Sequence, residues 1–171
     1  EFCRGVMNDY VYPALDTTIN AMSMGVLLFA QHPDQWDKLR ADRELLNQAA
    51  HEIVRLATPI QYFTRVTTRD VEIGGTTIPE GARVLIMFAS ANRDERRFEN
   101  PDGFDITRPS EQHMGWGRGK HQCMGKPLAR MEITSLFDVL ADHVERFEVG
   151  EYTWQLNNCV RGLGSMELTL H

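Results

Sequence analysis

The sequence has 171 residues, enough for one domain with a buried core and few for two. Apolar residues make up 42% and charged residues 25%, a soluble globular profile that excludes collagenous and disordered chains. No apolar run reaches the roughly 18 residues of a spanning helix, so no membrane is expected, and a net charge of −6 argues against nucleic acid as a partner.

The first third of the chain predicts helices. Residues 17–31 are apolar nearly all round (Ile19, Met22, Val26, Leu27, Phe29), as in a buried helix, and His32-Pro33-Asp34 stops it. Asp16, after Pro13, stands where an N-cap would sit. Residues 44–57 carry apolar side chains at four-residue spacing, and Thr58-Pro59 ends that helix. Strands follow: Tyr62 to Thr67, Val71 to Ile73, Thr76 to Ile78 and Arg83 to Ala89. Gly74-Gly75 marks a two-residue hairpin turn, because such turns need positive φ. Residues 90–114 show no period and read as a long ordered coil, a feature that is usually functional. A helix is expected from about Pro127 to Val144, then short strands from Tyr152 to His171 joined by Gly162 and Gly164. The fold class is α+β, mainly helical, with small antiparallel sheets. With no repeat or linker, residues 1–171 read as one domain. The chain opens Glu1-Phe2-Cys3, without an initiator Met or signal segment, and so reads as processed or as part of a longer chain.

Three cysteines, Cys3, Cys123 and Cys159, are an odd and scattered set that suits a reducing compartment better than a disulfide framework. One of them lies in the most informative segment, Gly115 to Arg130. Glycines at 115, 117 and 119 let the backbone approach a flat object or take positive φ. Pro127 suits a first helical turn, so Cys123 sits just ahead of a helix N-terminus, where the dipole favours a thiolate. Such a thiolate could serve as an axial ligand of haem iron. Phosphate-loop and dinucleotide spacings fail here, and His113, His121 and Cys123 match no common zinc pattern. On this segment alone, an inert cysteine in a glycine-rich turn stands equally open.

The segment resembles the haem-binding signature of the cytochrome P450 family through Trp116, Gly117, Gly119, His121, Cys123 and Gly125, continued by Leu128-Ala129-Arg130. Trp116 takes the place of the family's usual Phe. Glu52 and Arg55 resemble the family's Glu-x-x-Arg pair, structural by that resemblance and otherwise an ordinary i,i+3 ion pair. The pair's usual third partner falls by the resemblance at Gly103, which would leave Arg55 without it. Ala14-Leu15-Asp16-Thr17-Thr18 is similar to the oxygen-activation motif, which makes Asp16 and Thr17 proton-handling residues rather than a cap. Arg65 and His121 resemble the partners of the two haem propionates.

The resemblance covers the C-terminal part of the family fold, from the oxygen-activating helix onward, and implies an incomplete haem-thiolate domain. Its implied function is a monooxygenase with haem b, placing one atom of O2 into a C–H bond of a small hydrophobic or aromatic substrate. Electrons would come from a ferredoxin or similar electron-transfer protein and its NAD(P)H reductase; Arg118, Lys120, Lys126 and Arg130 around the cysteine loop read equally as its docking site or as a solvated basic rim. Substrate-facing candidates are Pro59, Ile60, Gln61, Phe63, Val160 and Leu163, and the implied location is the bacterial cytoplasm. The alternatives are a peroxide-driven peroxygenase, disfavoured by the Asp16-Thr17 pair, and an inactive fragment or haem-binding module.

Overall fold

A computed structural model describes residues 1–171. Helical structure begins earlier than the apolar pattern indicates. A short α1 (Phe2–Val6) leads through a π-helical turn (Met7–Val11) into the long α2 (Tyr12–Gln31). Pro13 has no N–H for the i−4 carbonyl, and the widened turn lies directly before it. Asp16 therefore sits inside α2 and is not its N-cap, which removes the capping role.

His32-Pro33 does stop α2, but Pro33 also starts α3 (Pro33–Ala41), a helix the apolar pattern did not reveal. A 3₁₀ turn (Arg43–Leu45) then enters α4 (Leu46–Ala57). Three two-stranded antiparallel sheets follow the expected order. β1 (Tyr62–Val66) pairs with β4 (Arg83–Met87), and β2 (Val71–Ile73) with β3 (Thr76–Ile78). Gly74 and Gly75 hold φ of 58° and 78°, as their hairpin requires. β4 stops at Met87, where a single helical turn, α5 (Phe88–Ala91), begins.

After the irregular stretch come α6 (Lys126–His143) and a hairpin of β5 (Phe147–Trp154) and β6 (Leu163–Leu170). This last pair corrects the expected short strands: each has eight residues, and Gly164 lies within β6 rather than at a joint. Gly162 is needed for a different reason, since a Cβ there would lie 2.1 Å from Oδ1 of Asn20.

The core sits where α2, α4 and α6 meet. Phe29, Trp36, Ile53, Ile133 and Phe137 are all essentially inaccessible to solvent. The rings of Phe29 and Phe137 stand edge to face at 5.1 Å, and Trp36 Nε1 donates to the Val144 carbonyl at 3.2 Å. Gly25 permits the close crossing, because a Cβ there would come within 2.6 Å of the Phe137 ring. Phe137→Ala should therefore cost about 3–5 kcal/mol in urea unfolding, the usual range for an aromatic ring lost from a core. A loss below about 1 kcal/mol would show that this ring does not hold the three helices together.

Candidate functional site: a cysteine loop framed by a buried ion-pair network

The amphipathic face of α4 buries two charged residues together with its apolar ones. Glu52 and Arg55 are both fully buried and make a two-pronged pair, with Nε to Oε2 and Nη2 to Oε1 at 2.8 Å each. The three remaining donors of Arg55 reach the carbonyls of Asn92 (2.8 Å), Pro101 (2.6 Å) and Gly103 (3.0 Å). All five guanidinium donors are thereby used. The ring of Phe98 covers the guanidinium at 5.0 Å.

A second cation completes the network, at a position the sequence comparison missed. Arg108 donates Nε to Glu52 Oε1 at 3.1 Å and its outer nitrogens to the carbonyls of Glu99 and Asn100. The expected gap at Gly103 is thus corrected. Gly103 supplies a carbonyl to Arg55, and the guanidinium comes from five residues further along. Its close contact with Asn100 explains the glycine, since a Cβ would lie 2.4 Å from Asn100 Nδ2. Ser110 Oγ and the Asp105 N–H also donate to the Glu52 carboxylate.

The network positions the cysteine loop. Asn92 is fully buried; it donates to Thr58 Oγ1 at 2.9 Å and accepts the Met114 N–H at 2.6 Å. His113 Nδ1 accepts the Gly115 N–H at 2.9 Å, which places the proton of the neutral ring on Nε2, facing His51 Nδ1 at 3.4 Å. Burial pushes His113 down to about 3 and His51 to about 4, helped at His113 by the neighbouring His51 and at both by Lys126. Trp116 packs on both imidazoles at 4.9 and 5.0 Å. Gly115 lets this cluster seat on α4, because a Cβ would lie 2.8 Å from Val54 Cγ1.

From there the chain turns on Gly117 and Gly119, with φ of 64° and 67°, through a 3₁₀ turn (Gly119–His121). The Cys123 N–H donates to the Trp116 carbonyl at 2.9 Å and closes the loop. Gly125 is the N-cap of α6 and Pro127 lies in its first turn, so Cys123 stands two residues before the cap. Cys123 is a free, exposed thiol just ahead of a helix N-terminus.

The remaining candidates are placed as follows. Asp16 is exposed on α2, and the Thr17 hydroxyl donates to the Pro13 carbonyl at 2.8 Å. Arg65 on β1 donates to the Thr64 carbonyl and pairs with no carboxylate; His121 is exposed. Backbone pairing brings the Pro59–Gln61 turn against the Cys159–Arg161 segment, with an isolated bridge from Ile60 to Val160. Phe63 is exposed and meets Phe88 edge to face at 5.9 Å. Leu163 instead packs on the cluster of Met24, Leu27 and Ala57.

These residues fit a haem. No three His, Cys, Asp or Glu side chains converge to hold a metal ion by themselves, and Cys123 would be the residue to offer a sulfur ligand to the iron of a haem. A Cβ at Gly125 would meet only the Cys123 sulfur, at 3.8 Å, so nothing else crowds that side of the thiol. Arg65 and His121 leave cationic or polar groups free for carboxylates. Large apolar side chains stand open to solvent on α2 (Leu15, Ile19), on β1 and β4 (Phe63, Leu85, Met87) and beside the thiol (Met124, Leu128).

Comparison with known proteins agrees with this geometry. The family model described as cytochrome P450 matches residues 7–153. The chain is 45% identical over 157 residues to cytochrome p450 CYP199A2 of Rhodopseudomonas palustris, covering 91% of this chain and 38% of that protein. It is 40% identical over 156 residues to linalool 8-monooxygenase of Pseudomonas putida, with the same coverage. Among solved structures, P450BioI in complex with an acyl carrier protein superposes with a TM-score of 0.87 at 36% identity, over 91% of this chain and 41% of that one. The tirandamycin C-bound monooxygenase TamI superposes with a TM-score of 0.86 at 40% identity, over 91% and 40%. The chain thus spans about 38% of the length of the curated relatives it matches.

Two measurements test the frame. Glu52→Ala leaves the buried guanidinium of Arg55, and the largely covered one of Arg108, without their carboxylate and should destabilise the chain by about 3–5 kcal/mol in urea unfolding. An effect below about 1 kcal/mol, as for an exposed pair, would contradict the network's role. The histidine pair sets a pH dependence. The unfolded chain protonates both rings near pH 6.5 while the folded chain resists to about 4 and 3, so the unfolded state binds more protons and stability falls as pH drops below 6.5. The slope approaches about 1.4 kcal/mol per pH unit for each ring. His51→Phe should flatten the profile between pH 6.5 and 4.5; profiles of equal slope would show that the pair is not held neutral.

Proposed function

The chain belongs to the cytochrome P450 family, and from that premise we propose that it forms the haem-thiolate part of a monooxygenase acting on a small hydrophobic or aromatic substrate. The observation that carries the reading is the exposed Cys123 thiol, closed into its loop by the Trp116 carbonyl and set ahead of the α6 N-terminus. Haem b, when bound, supplies the redox chemistry that puts one atom of O2 into a C–H bond.

The chain's own residues have separable tasks. Cys123 acts as the thiolate ligand, with the positive end of the α6 dipole beside it. Trp116, Gly117 and Gly125 give the loop its shape. Arg65 and His121 bind the cofactor's carboxylates. Asp16 takes protons from solvent, and Thr17 holds a hydroxyl in place through the Pro13 carbonyl, so the two form a relay on one turn of α2. Such a relay favours O2 as oxidant over peroxide. Glu52, Arg55 and Arg108 touch no substrate; they keep the loop in register.

The Pro59–Phe63 turn and Val160 face the substrate in this reading, with Leu163 supporting from beneath. Relatives named for linalool and for steroid oxidation agree with a hydrophobic substrate. Coverage of 38% of the relatives' length, with apolar side chains exposed on α2 and β4, supports treating residues 1–171 as an incomplete haem domain. Electrons come from a ferredoxin and an NAD(P)H reductase, with Arg118, Lys120, Lys126 and Arg130 as the docking rim. No helix is long and apolar enough to cross a membrane, and the thiolate role suits a reducing bacterial cytoplasm.

The test is the absorption spectrum of the haem-supplied chain after reduction and carbon monoxide addition. A red-shifted Soret band that Cys123→Ala abolishes is the expected result. Haem uptake with a spectrum indifferent to that substitution would remove Cys123 as the ligand and end this reading.

A further inference from the structure

A cleft of about 120 Å³ opens where the ends of α2 and α4 meet the β5–β6 hairpin, and it shares no residue with the cysteine loop. Met24, Leu27, Leu28 and Leu56 give it an apolar part, and its polar lining is Arg93, Arg161, Gln31 and the single carboxylate Asp102, beside Tyr152 and Trp154. Both arginines are half-buried, and both turn toward one atom, the Leu56 carbonyl oxygen in the last turn of α4. Arg93 Nη2 donates to it at 2.8 Å and Arg161 Nη1 reaches it at 3.5 Å. The negative end of α4 thus gathers two like charges that would otherwise separate.

The two cations differ in what answers them. Arg93 has a carboxylate partner in Asp102, at 3.2 Å, although that carboxylate is 81% exposed. Arg161 has none. Its side chain makes a single long hydrogen bond, and its guanidinium lies over the Trp154 ring at 4.8 Å. Burial and the charge of Arg93 push the Arg161 guanidinium below its ordinary value, with no carboxylate acting against them. A guanidinium fork held flat on an aromatic wall, with most of its donors unused, is prepared for a planar or tetrahedral oxygen anion.

We propose that the Arg93–Arg161 cleft is a binding site for a small oxyanion, a phosphate or carboxylate group that accepts from Arg161 and answers the one charge that Asp102 does not. Tyr152, which is 39% exposed, adds a hydroxyl at the same wall, and the Gln31 side chain faces it from the end of α2. The site does not depend on haem or on the cysteine chemistry. Its occupancy would tie the β5–β6 hairpin to α2 and α4, because its lining comes from all three.

The experiment titrates the purified 171-residue chain with inorganic phosphate, and separately with acetate, against sodium chloride at matched ionic strength. Tryptophan emission and the thermal midpoint are followed together. A saturable change with either anion, absent with chloride, supports the site; the stronger response identifies phosphate or carboxylate as the preferred group. Arg161→Gln should weaken the apparent affinity at least about tenfold, the loss of one charge-assisted contact. Arg161→Lys, which keeps the charge and loses the fork, should fall between, and it serves if the glutamine variant does not fold. Arg69→Gln, an exposed arginine between β1 and β2, should leave the curve unchanged. No response beyond chloride, or an identical curve for the Arg161 variants and the parent chain, would overturn the proposal.

Discussion

The carboxylate of Glu52 is the point on which the rest of the structure depends. It is fully buried on α4 and accepts from Arg55, Arg108, Ser110 and the Asp105 N–H, so one side chain collects donors from a helix and from three positions in an otherwise irregular segment. Burying an ion pair costs several kcal/mol per ion in lost hydration, and only complete hydrogen bonding offsets it. Here the bonding is complete: Arg55 uses every donor it has, and no buried side-chain polar atom lacks a partner. The network contributes less to stability than to uniqueness, since any other path for the coil strands a charge.

That constraint explains how a stretch with little regular structure can be rigid. Residues 92–118 form no strand and only turns, yet Asn92, Ser110 and His113 within it are buried. Each is fastened by a side chain of α4 or by its C-terminal turn. The coil delivers Trp116 onto the His51–His113 pair, and Trp116 in turn holds Cys123 through its carbonyl. Cys123, at the end of this chain of contacts, is an exposed thiol on a loop that buried groups fasten in place. Energetic weight lies in the buried charge cluster, and chemical weight lies on the exposed side chain that it positions.

The second pair of arginines shows the same physics with a different outcome. Arg55 meets a carboxylate and three carbonyls and is closed off. Arg161 meets one distant carbonyl and an aromatic face and stays open. Arg55 projects from α4 into the coil, whereas Arg161 reaches the Leu56 carbonyl in the last turn of that helix. What separates a structural arginine from a ligand-ready one is the number of acceptors the surrounding chain brings to it.

The sequence by itself was enough for much of this protein. Apolar spacing placed α4, Gly74-Gly75 set a hairpin, and Pro127 placed the start of α6 to within a residue, because each signal is local backbone chemistry. The glycine-and-cysteine segment pointed to haem for the same reason, and family membership followed from it. Other features were out of reach. The start of α2 was misjudged because Pro13 reads as a boundary, whereas a widened π-helical turn precedes it. Arg108 went unrecognised because a partner fifty-six residues from Glu52 carries no periodic signal, and only the folded coil brings its guanidinium to the carboxylate. His51, His113 and Asn92 looked like ordinary polar residues, since burial and hydrogen-bond completion are properties of the assembled chain. Local geometry is written residue by residue; which charges are answered, and by what, was decided only when distant segments packed against α4.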